Sequence, residues 1–144
     1  MDERDRPILL VEDSQDDAEL VILALREAGV VSRVDVVRDG EEALEYLFDA
    51  PGRDATPALP LLVLLDIKLP KIDGFAVLRT IRREERTRML PAVILSSSTV
   101  QEDIARAYEL GANSYVCKPV EFSGFSDTVR QVGLYWVNLN EPSV

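Results

Sequence analysis

Five short apolar runs, each followed by a segment long enough to form a helix, constrain this chain more than any other feature. They are Ile8–Val11, Val34-Asp35-Val36-Val37, Leu61–Leu65, Ala92–Leu95 and Tyr115–Cys117. Short, nearly continuous apolar runs suit strands buried on both faces. The intervening segments switch to helical spacing. Ala18, Val21, Ile22, Leu25 and Ala28 form the first stripe, with Gly29 as its stop. Leu44, Leu47 and Phe48 form the second, and Phe75, Leu78 and Ile81 the third. Val100, Ile104, Ala107 and Tyr108 form the fourth, and Phe125, Val129, Val132 and Trp136 the fifth. Pro51, Gly52, Pro57 and Pro60 mark a loop before the third strand. A parallel crossover needs a helix-length connection, so this alternation implies an α/β parallel sheet covered on both faces. The 144 residues suit one domain. We expect it to span residues 7–138, with short tails at 1–6 and 139–144.

Composition removes several classes of function. The net charge of −10, from 26 acids and 16 bases, opposes sequence-independent binding to nucleic acid or anionic membrane. One cysteine allows no internal disulfide. Histidine is absent, which removes His-based zinc sites, Ser-His and Cys-His triads, and a phosphohistidine on this chain. The charged start Met1-Asp2-Glu3-Arg4-Asp5-Arg6 is unlike a signal peptide, and no apolar run reaches the ~18 residues of a membrane span. A cytoplasmic location is expected.

The strand ends carry the chemistry. Glu12 and Asp13 follow the first run, Asp66 the third, Ser96 the fourth, and Lys118 with Pro119 the fifth. In a parallel sheet these ends share one edge, where α/β folds build their sites. Carboxylates crowded there repel by roughly 4 kcal/mol per pair at 4 Å and an effective dielectric near 20. Lys118 alone does not balance them, so a divalent cation is expected. Taken singly, each residue has a plainer role. Asp13 or Ser96 could cap a helix, Lys118 could be an exposed lysine, and Cys117 and Trp136 could pack the core. The joint pattern resists that treatment, because four of five strands end in charged or hydroxyl groups of complementary type. The combination suits phosphoryl transfer. A carboxylate can take phosphorus as a covalent nucleophile, and Mg²⁺ accepts one or two carboxylates plus a phosphate oxygen. A lysine and a hydroxyl can meet the remaining phosphoryl oxygens.

Other uses of the architecture fit less well. A flavin binder of the flavodoxin kind needs a neutral loop after the first strand, and Glu12-Asp13-Ser14-Gln15-Asp16-Asp17 is acidic. A phosphatase of the haloacid-dehalogenase kind needs an acid two positions after its nucleophile, where Lys68 stands. A dinucleotide fold lacks its Gly-x-Gly-x-x-Gly turn. The chain instead resembles the response-regulator receiver domains of the CheY-like family, from about Pro7 to Asn138. The resemblance rests on Val11-Glu12-Asp13, Leu65-Asp66, Leu69-Pro70, Asp73-Gly74, Ser96-Ser97, Gly111-Ala112 and Lys118-Pro119. It implies a single doubly wound (βα)5 flavodoxin-like domain with strand order 2-1-3-4-5. Asp66 is then the expected phosphoacceptor. Asp13 and Asp66 would bind Mg²⁺ directly, Glu12 through water, and Lys68 through its backbone carbonyl. Lys118 would pair with the phosphoryl group, its bond to Pro119 is expected to be cis, Ser96 would be the switch hydroxyl, and Tyr115 the aromatic that repositions. Two departures, Glu12 for the commoner Asp and Ser96 for the commoner Thr, conserve the chemistry. Lys68 and Ser98 stand at positions that vary in the family and are expected to tune the lifetime of the aspartyl phosphate.

A narrower resemblance covers Gly111-Ala112-Asn113-Ser114-Tyr115, Val132-Gly133-Leu134-Tyr135-Trp136 and Leu139-Asn140-Glu141-Pro142. These segments look like single-domain regulators paired with bacterial phytochrome histidine kinases, and imply such a kinase as partner. Leu134, Tyr135, Val137 and Leu139 add apolar groups outside the core stripe of the last helix, as a homodimer or partner surface would. The expected function is a two-component phosphoacceptor, a signalling protein with intrinsic phosphotransfer and slow autodephosphorylation rather than an enzyme. A pseudo-receiver that binds without phosphorylation, and a small Mg²⁺-dependent phosphatase, are the competing readings.

Overall fold

The computed structural model describes residues 6–48, 59–119 and 121–143. Pro51, Gly52 and Pro57 of the expected loop, and most of the N-terminal tail, lie outside them. The elements are β1 (Ile8–Val11), α1 (Gln15–Glu27), β2 (Val34–Val37), α2 (Gly40–Leu47) and β3 (Leu62–Leu65). They continue as α3 (Gly74–Arg83), β4 (Ala92–Ser96), α4 (Gln101–Glu109), β5 (Ser114–Cys117) and α5 (Phe122–Gly133). The last helix runs on into a wider π-helical segment, Leu134–Leu139. All strand pairs are parallel, in the order β2-β1-β3-β4-β5, as expected.

Side-chain alternation along the strands feeds two cores. Leu9, Val11, Val63, Leu65 and Ile94 face α2 and α3, packing on Leu47, Phe75, Leu78 and Ile81. Ile8, Leu10, Leu62, Leu64 and Val93 face α1 and α5, packing on Val21, Leu25, Phe125 and Val129. Every residue of β1, β3 and β4 is buried. Each large apolar side chain removed from water contributes about 1.5–3 kcal/mol, so the central strands are the fixed frame. The edge strands β2 and β5 are half-buried throughout.

Capping sets where the helices start. Ser14 accepts from Asp17 N, Asp39 from Glu42 N, and Asp73 from Ala76 N. Each such cap contributes about 1 kcal/mol. Asp13 is therefore not the cap of α1, and Ser96 does not cap α4, whose N-cap position is Val100. Two glycines admit the loop after β3. A Cβ on Gly40 would lie 1.9 Å from the Ile72 carbonyl oxygen, and one on Gly74 would lie 2.2 Å from that of Asp66. Within this loop Lys71 holds φ 67°, a left-handed value that costs a non-glycine residue roughly 1–2 kcal/mol. Its ammonium lies 3.6 Å from Asp39 and 3.5 Å from Glu41.

The opposite edge of the sheet is fastened by Arg82. Its Nε donates to Gly111 O (2.8 Å), and its guanidinium also donates to Leu90 O (2.7 Å) and Asn113 Oδ1 (2.8 Å). Asn113 Oδ1 accepts in turn from Ala92 N at 2.8 Å, so one side chain ties the starts of β4 and β5.

Some expectations fail at the periphery. In α4 only Ala107 is buried, while Val100 is 55% and Tyr108 50% exposed. This helix lies beside the edge strand β5, which covers less of it than the sheet centre would. Tyr108 instead has a polar use, its hydroxyl accepting from Tyr115 N at 3.2 Å. Arg106 of α4 stacks over Phe75 at 4.4 Å from the ring centroid. Cys117 is half-buried rather than a core residue, whereas Trp136, also half-buried, packs against the α1–α5 core. Among the described residues no helix is long and apolar enough to cross a membrane.

Candidate functional site

Sheet hydrogen bonds continue one residue past the strands and place the site backbone. Glu12 N donates to Val37 O (3.0 Å), Asp66 N to Val11 O (3.1 Å) and Lys118 N to Ser96 O (2.7 Å). Residues separated by up to 106 positions thus leave the same sheet edge side by side. Carboxylate oxygens of Glu12, Asp13 and Asp66 lie within 4.8 Å of one another. Lys118 Nζ donates to Glu12 Oε1, and lies 3.1 Å from both Asp66 Oδ2 and Asp17 Oδ2. Asp66 Oδ1 accepts from the Lys68 amide at 3.3 Å.

Burial makes this cluster electrostatically demanding. Glu12 is only 3% exposed, and desolvation raises its carboxyl to about 7 despite the bond from Lys118. Burial acts to lower Lys118, but its bond to Glu12 and the charges of Asp66 and Glu12 outweigh it and hold the ammonium above its ordinary range. The two shifts pull against each other across one hydrogen bond. Lys118 stays charged, because Asp17 and Asp66 support it as well. Glu12 is the group whose charge burial opposes, even though it accepts from both Lys118 Nζ and Ser14 N.

The donor set fits a hard cation. All three clustered groups are carboxylates, and Mg²⁺ selects oxygen ligands and keeps several waters. Counting Asp17, the site sets four acids against one lysine, leaving negative charge that a divalent ion would neutralise.

Comparison with known proteins decides the family. The family model described as "Response regulator receiver domain" matches residues 8–130. This chain belongs to the response-regulator receiver family. Proteins similar to it include the "Probable methanogenesis regulatory protein FilR2" of Methanothrix harundinacea. That protein is 43% identical over 135 residues, covering 92% of this chain and 84% of FilR2. Response regulator Rcp1 of Synechocystis sp. is 33% identical over 130 residues, covering 90% of this chain and 88% of Rcp1. The crystal structure of Mn(2+)-bound Rcp1 has 31% identity and a TM-score of 0.90, covering 96% of this chain and 99% of that one. The phosphorylated cyanobacterial phytochrome response regulator RcpA has 34% identity and a TM-score of 0.88, with the same coverages. The receiver is therefore homologous to phytochrome-associated response regulators, and the fold is the flavodoxin-like (βα)5 arrangement.

The structure brings Glu12, Asp13, Asp66 and Lys118 together and sets Ser96 on the next strand. Leu65 is in register with Ile94, so Ser96 lies one step beyond the level of Asp66. Ser96 is fully buried, and its hydroxyl accepts from Ser98 N at 3.1 Å. Tyr115, half-buried, donates its hydroxyl to Ser98 O at 2.8 Å. Ser98 also donates to Asp103 Oδ2 at 2.6 Å, linking the Ser96 loop to the first turn of α4. Leu134, Tyr135 and Leu139 are exposed, whereas Val137 is half-buried against the α1–α5 core and contributes less surface than expected.

One expectation is corrected. The bond from Lys118 to Pro119 is trans, since no peptide bond among the described residues is cis. The trans form of an X-Pro bond is preferred by about 0.5–1 kcal/mol. Lys118 reaches its three carboxylates from that form, so its contacts do not require the rarer isomer. One residue was missed. Asp17 reads in the sequence as a first-turn acid suited to the helix dipole, and nothing local signals its contact with a lysine 101 residues away.

Proposed function

We propose that this receiver takes a phosphoryl group on Asp66 from a phosphohistidine of a separate, phytochrome-type sensor kinase, with Mg²⁺, and that the charge change switches a protein-interaction surface. One observation carries this reading: Asp66 shares the sheet edge with two more carboxylates and the ammonium of Lys118. Glu12, Asp13 and Asp66, with the Lys68 carbonyl, would hold the ion. When bound, it neutralises carboxylate and phosphoryl charge so that the two anions can approach.

The chain's own groups supply the rest. An Asp66 carboxylate oxygen forms a bond to phosphorus as the bond from phosphorus to the donor's imidazole nitrogen breaks. The departing electron pair stays on that nitrogen. The backbone bond from Asp66 N to Val11 O fixes the acceptor, and the Lys68 amide orients one carboxylate oxygen. Lys118 then pairs by charge with phosphoryl oxygens, and the Ser96 hydroxyl donates to one of them by leaving the Ser98 amide. Movement of Ser96 disturbs Ser98, which touches Asp103 and Tyr115, so the signal passes to α4 and β5. This is capture of one group followed by slow hydrolysis, in keeping with a cytoplasmic signalling protein rather than a turnover enzyme. The exposed Leu134, Tyr135 and Leu139 support a homodimer or partner surface on the last helix. A sedimentation profile unchanged by Tyr135→Glu and Leu139→Glu would count against that surface.

The main test is intact-mass measurement after incubation with Mg²⁺ and acetyl phosphate or phosphoramidate. One added phosphoryl group is expected, and none on Asp66→Asn. An unmodified parent chain, or an equally modified variant, sinks the reading. Phosphotransfer profiling against purified kinases tests the partner, and equal rates from unrelated kinases would remove the phytochrome assignment.

A further inference from the structure

We infer that Asp17 is a positioning residue for phosphoryl transfer, holding the Lys118 ammonium where the phosphoryl oxygens arrive. This rests on the phosphoacceptor reading of Asp66. An ammonium has three N–H donors, and Lys118 directs its donors toward three carboxylates, those of Glu12, Asp17 and Asp66. Two of these acceptors have another claim on them. Glu12 and Asp66 belong to the group that can hold a cation, and Asp66 is itself the nucleophile. Asp17 lies outside that group.

Its placement suits the task. Asp17 N is fixed by the Ser14 hydroxyl at 3.2 Å, which anchors the residue in the first turn of α1. Ser14 does the capping, so the Asp17 carboxylate is spared for Lys118. Lys118 has a long flexible stem, and its side chain is only 8% exposed, against 39% for Asp17. The anchor thus sits on the solvent side of the ammonium and keeps the stem extended toward Asp66. A pure dipole role does not explain this contact, because Asp16 satisfies the same helix end without it.

The test is a double-mutant cycle on phosphorylation by phosphoramidate, with saturating Mg²⁺ and donor, read by intact mass. Asp17→Ala is expected to slow the maximal rate about three- to tenfold, the range for a partly exposed charge-assisted bond. Asp17→Glu, which keeps the charge, should return to within about twofold of the parent, since a flexible lysine can follow it. In the Lys118→Ala background, Asp17→Ala should add nothing, because its effect passes through that ammonium. A second readout needs neither metal nor phosphoryl group. The chain has three lysines, Lys68, Lys71 and Lys118. In ¹⁵N-lysine NMR of the metal-free protein, the buried ammonium should be protected from solvent exchange, be absent from Lys118→Ala, and lose protection in Asp17→Ala. If Asp17→Ala does not fold, Asp17→Asn replaces it in both measurements. A parent rate in the Asp17 variant, a deficit that multiplies with that of Lys118→Ala, or an unchanged ammonium signal overturns the inference while leaving Asp66 as phosphoacceptor. A parent chain that takes up no phosphoryl group overturns both.

Discussion

Adding one methyl group at Gly74 should unfold this protein more readily, against the usual benefit of replacing glycine in a helix. Gly74 is the first residue of α3, where alanine would gain at most about 1 kcal/mol from helix propensity. Its Cβ, however, would meet Asp66 O at 2.2 Å and Ile67 Cα at 2.7 Å. The first is more than an ångström inside the 3.4 Å at which ordinary contact begins. Both neighbours are backbone at the end of a fully buried strand, so neither can rotate away. Overpacking of this kind costs about 1–3 kcal/mol. With a urea slope of about 2 kcal/mol/M, the midpoint should fall by about 0.5–1.5 M. Gly124→Ala is the control, because its Cβ would meet the Pro119 Cβ at 3.3 Å, where a shift of about a few tenths of an ångström suffices. That variant should be neutral or more stable by up to about 1 kcal/mol. Phosphorylation of Gly74→Ala should also slow, since the displaced carbonyl belongs to Asp66, the proposed phosphoacceptor. Equal urea midpoints for Gly74→Ala and the parent would refute the close approach of α3 to β3 described above.

Burial raises Glu12 from 4.5 to about 7, so between those values the folded chain holds a proton that the unfolded chain has released. This group's contribution is present below pH 4.5 and lost as pH rises through 7, worth up to roughly 3 kcal/mol. Urea unfolding of metal-free protein at pH 5 and pH 8 should show that slope, and Glu12→Gln should flatten it. An identical slope in the variant would assign the effect elsewhere. Arg82→Met should cost about 2–3 kcal/mol, because Gly111 O and Leu90 O lose a charged donor. A loss below about 0.5 kcal/mol, as for ordinary surface changes, would mean water replaces the guanidinium freely. Thr87→Val should cost about 1–2 kcal/mol by removing the buried bond to Ile81 O at 2.7 Å, and an unchanged melting curve would contradict it.

What was legible in the sequence followed from burial on both faces. Ile8–Val11 and Leu61–Leu65 read as strands buried on both faces, and their ends located Glu12, Asp13 and Asp66. Where burial is partial, the pattern misled. The spacing of Val100, Ile104 and Tyr108 is helical, yet an edge strand cannot cover that stripe. Val137 reads like its exposed neighbours Leu134 and Leu139, and only the path of the π-helical segment turns it inward. Asp17 and Lys118 show the limit of local reading, because a contact between first-turn and strand-end residues depends on the assembled sheet. The isomer at Pro119 depends on a small energy difference that sequence does not set.

Arg82 gives the sheet a fixed end and a working end. With the starts of β4 and β5 bound through one guanidinium, neither strand can slide along the other to relieve a pull at Ser96 or Lys118. The pair behaves as a beam clamped at its root, with load applied at its tip. Deflection must then appear in the connections beyond the tip, and the one that follows β4 leads into α4, which buries one side chain. A chemical event confined to a few atoms on Asp66 would therefore be delivered as displacement of the least anchored helix, with the cores left standing.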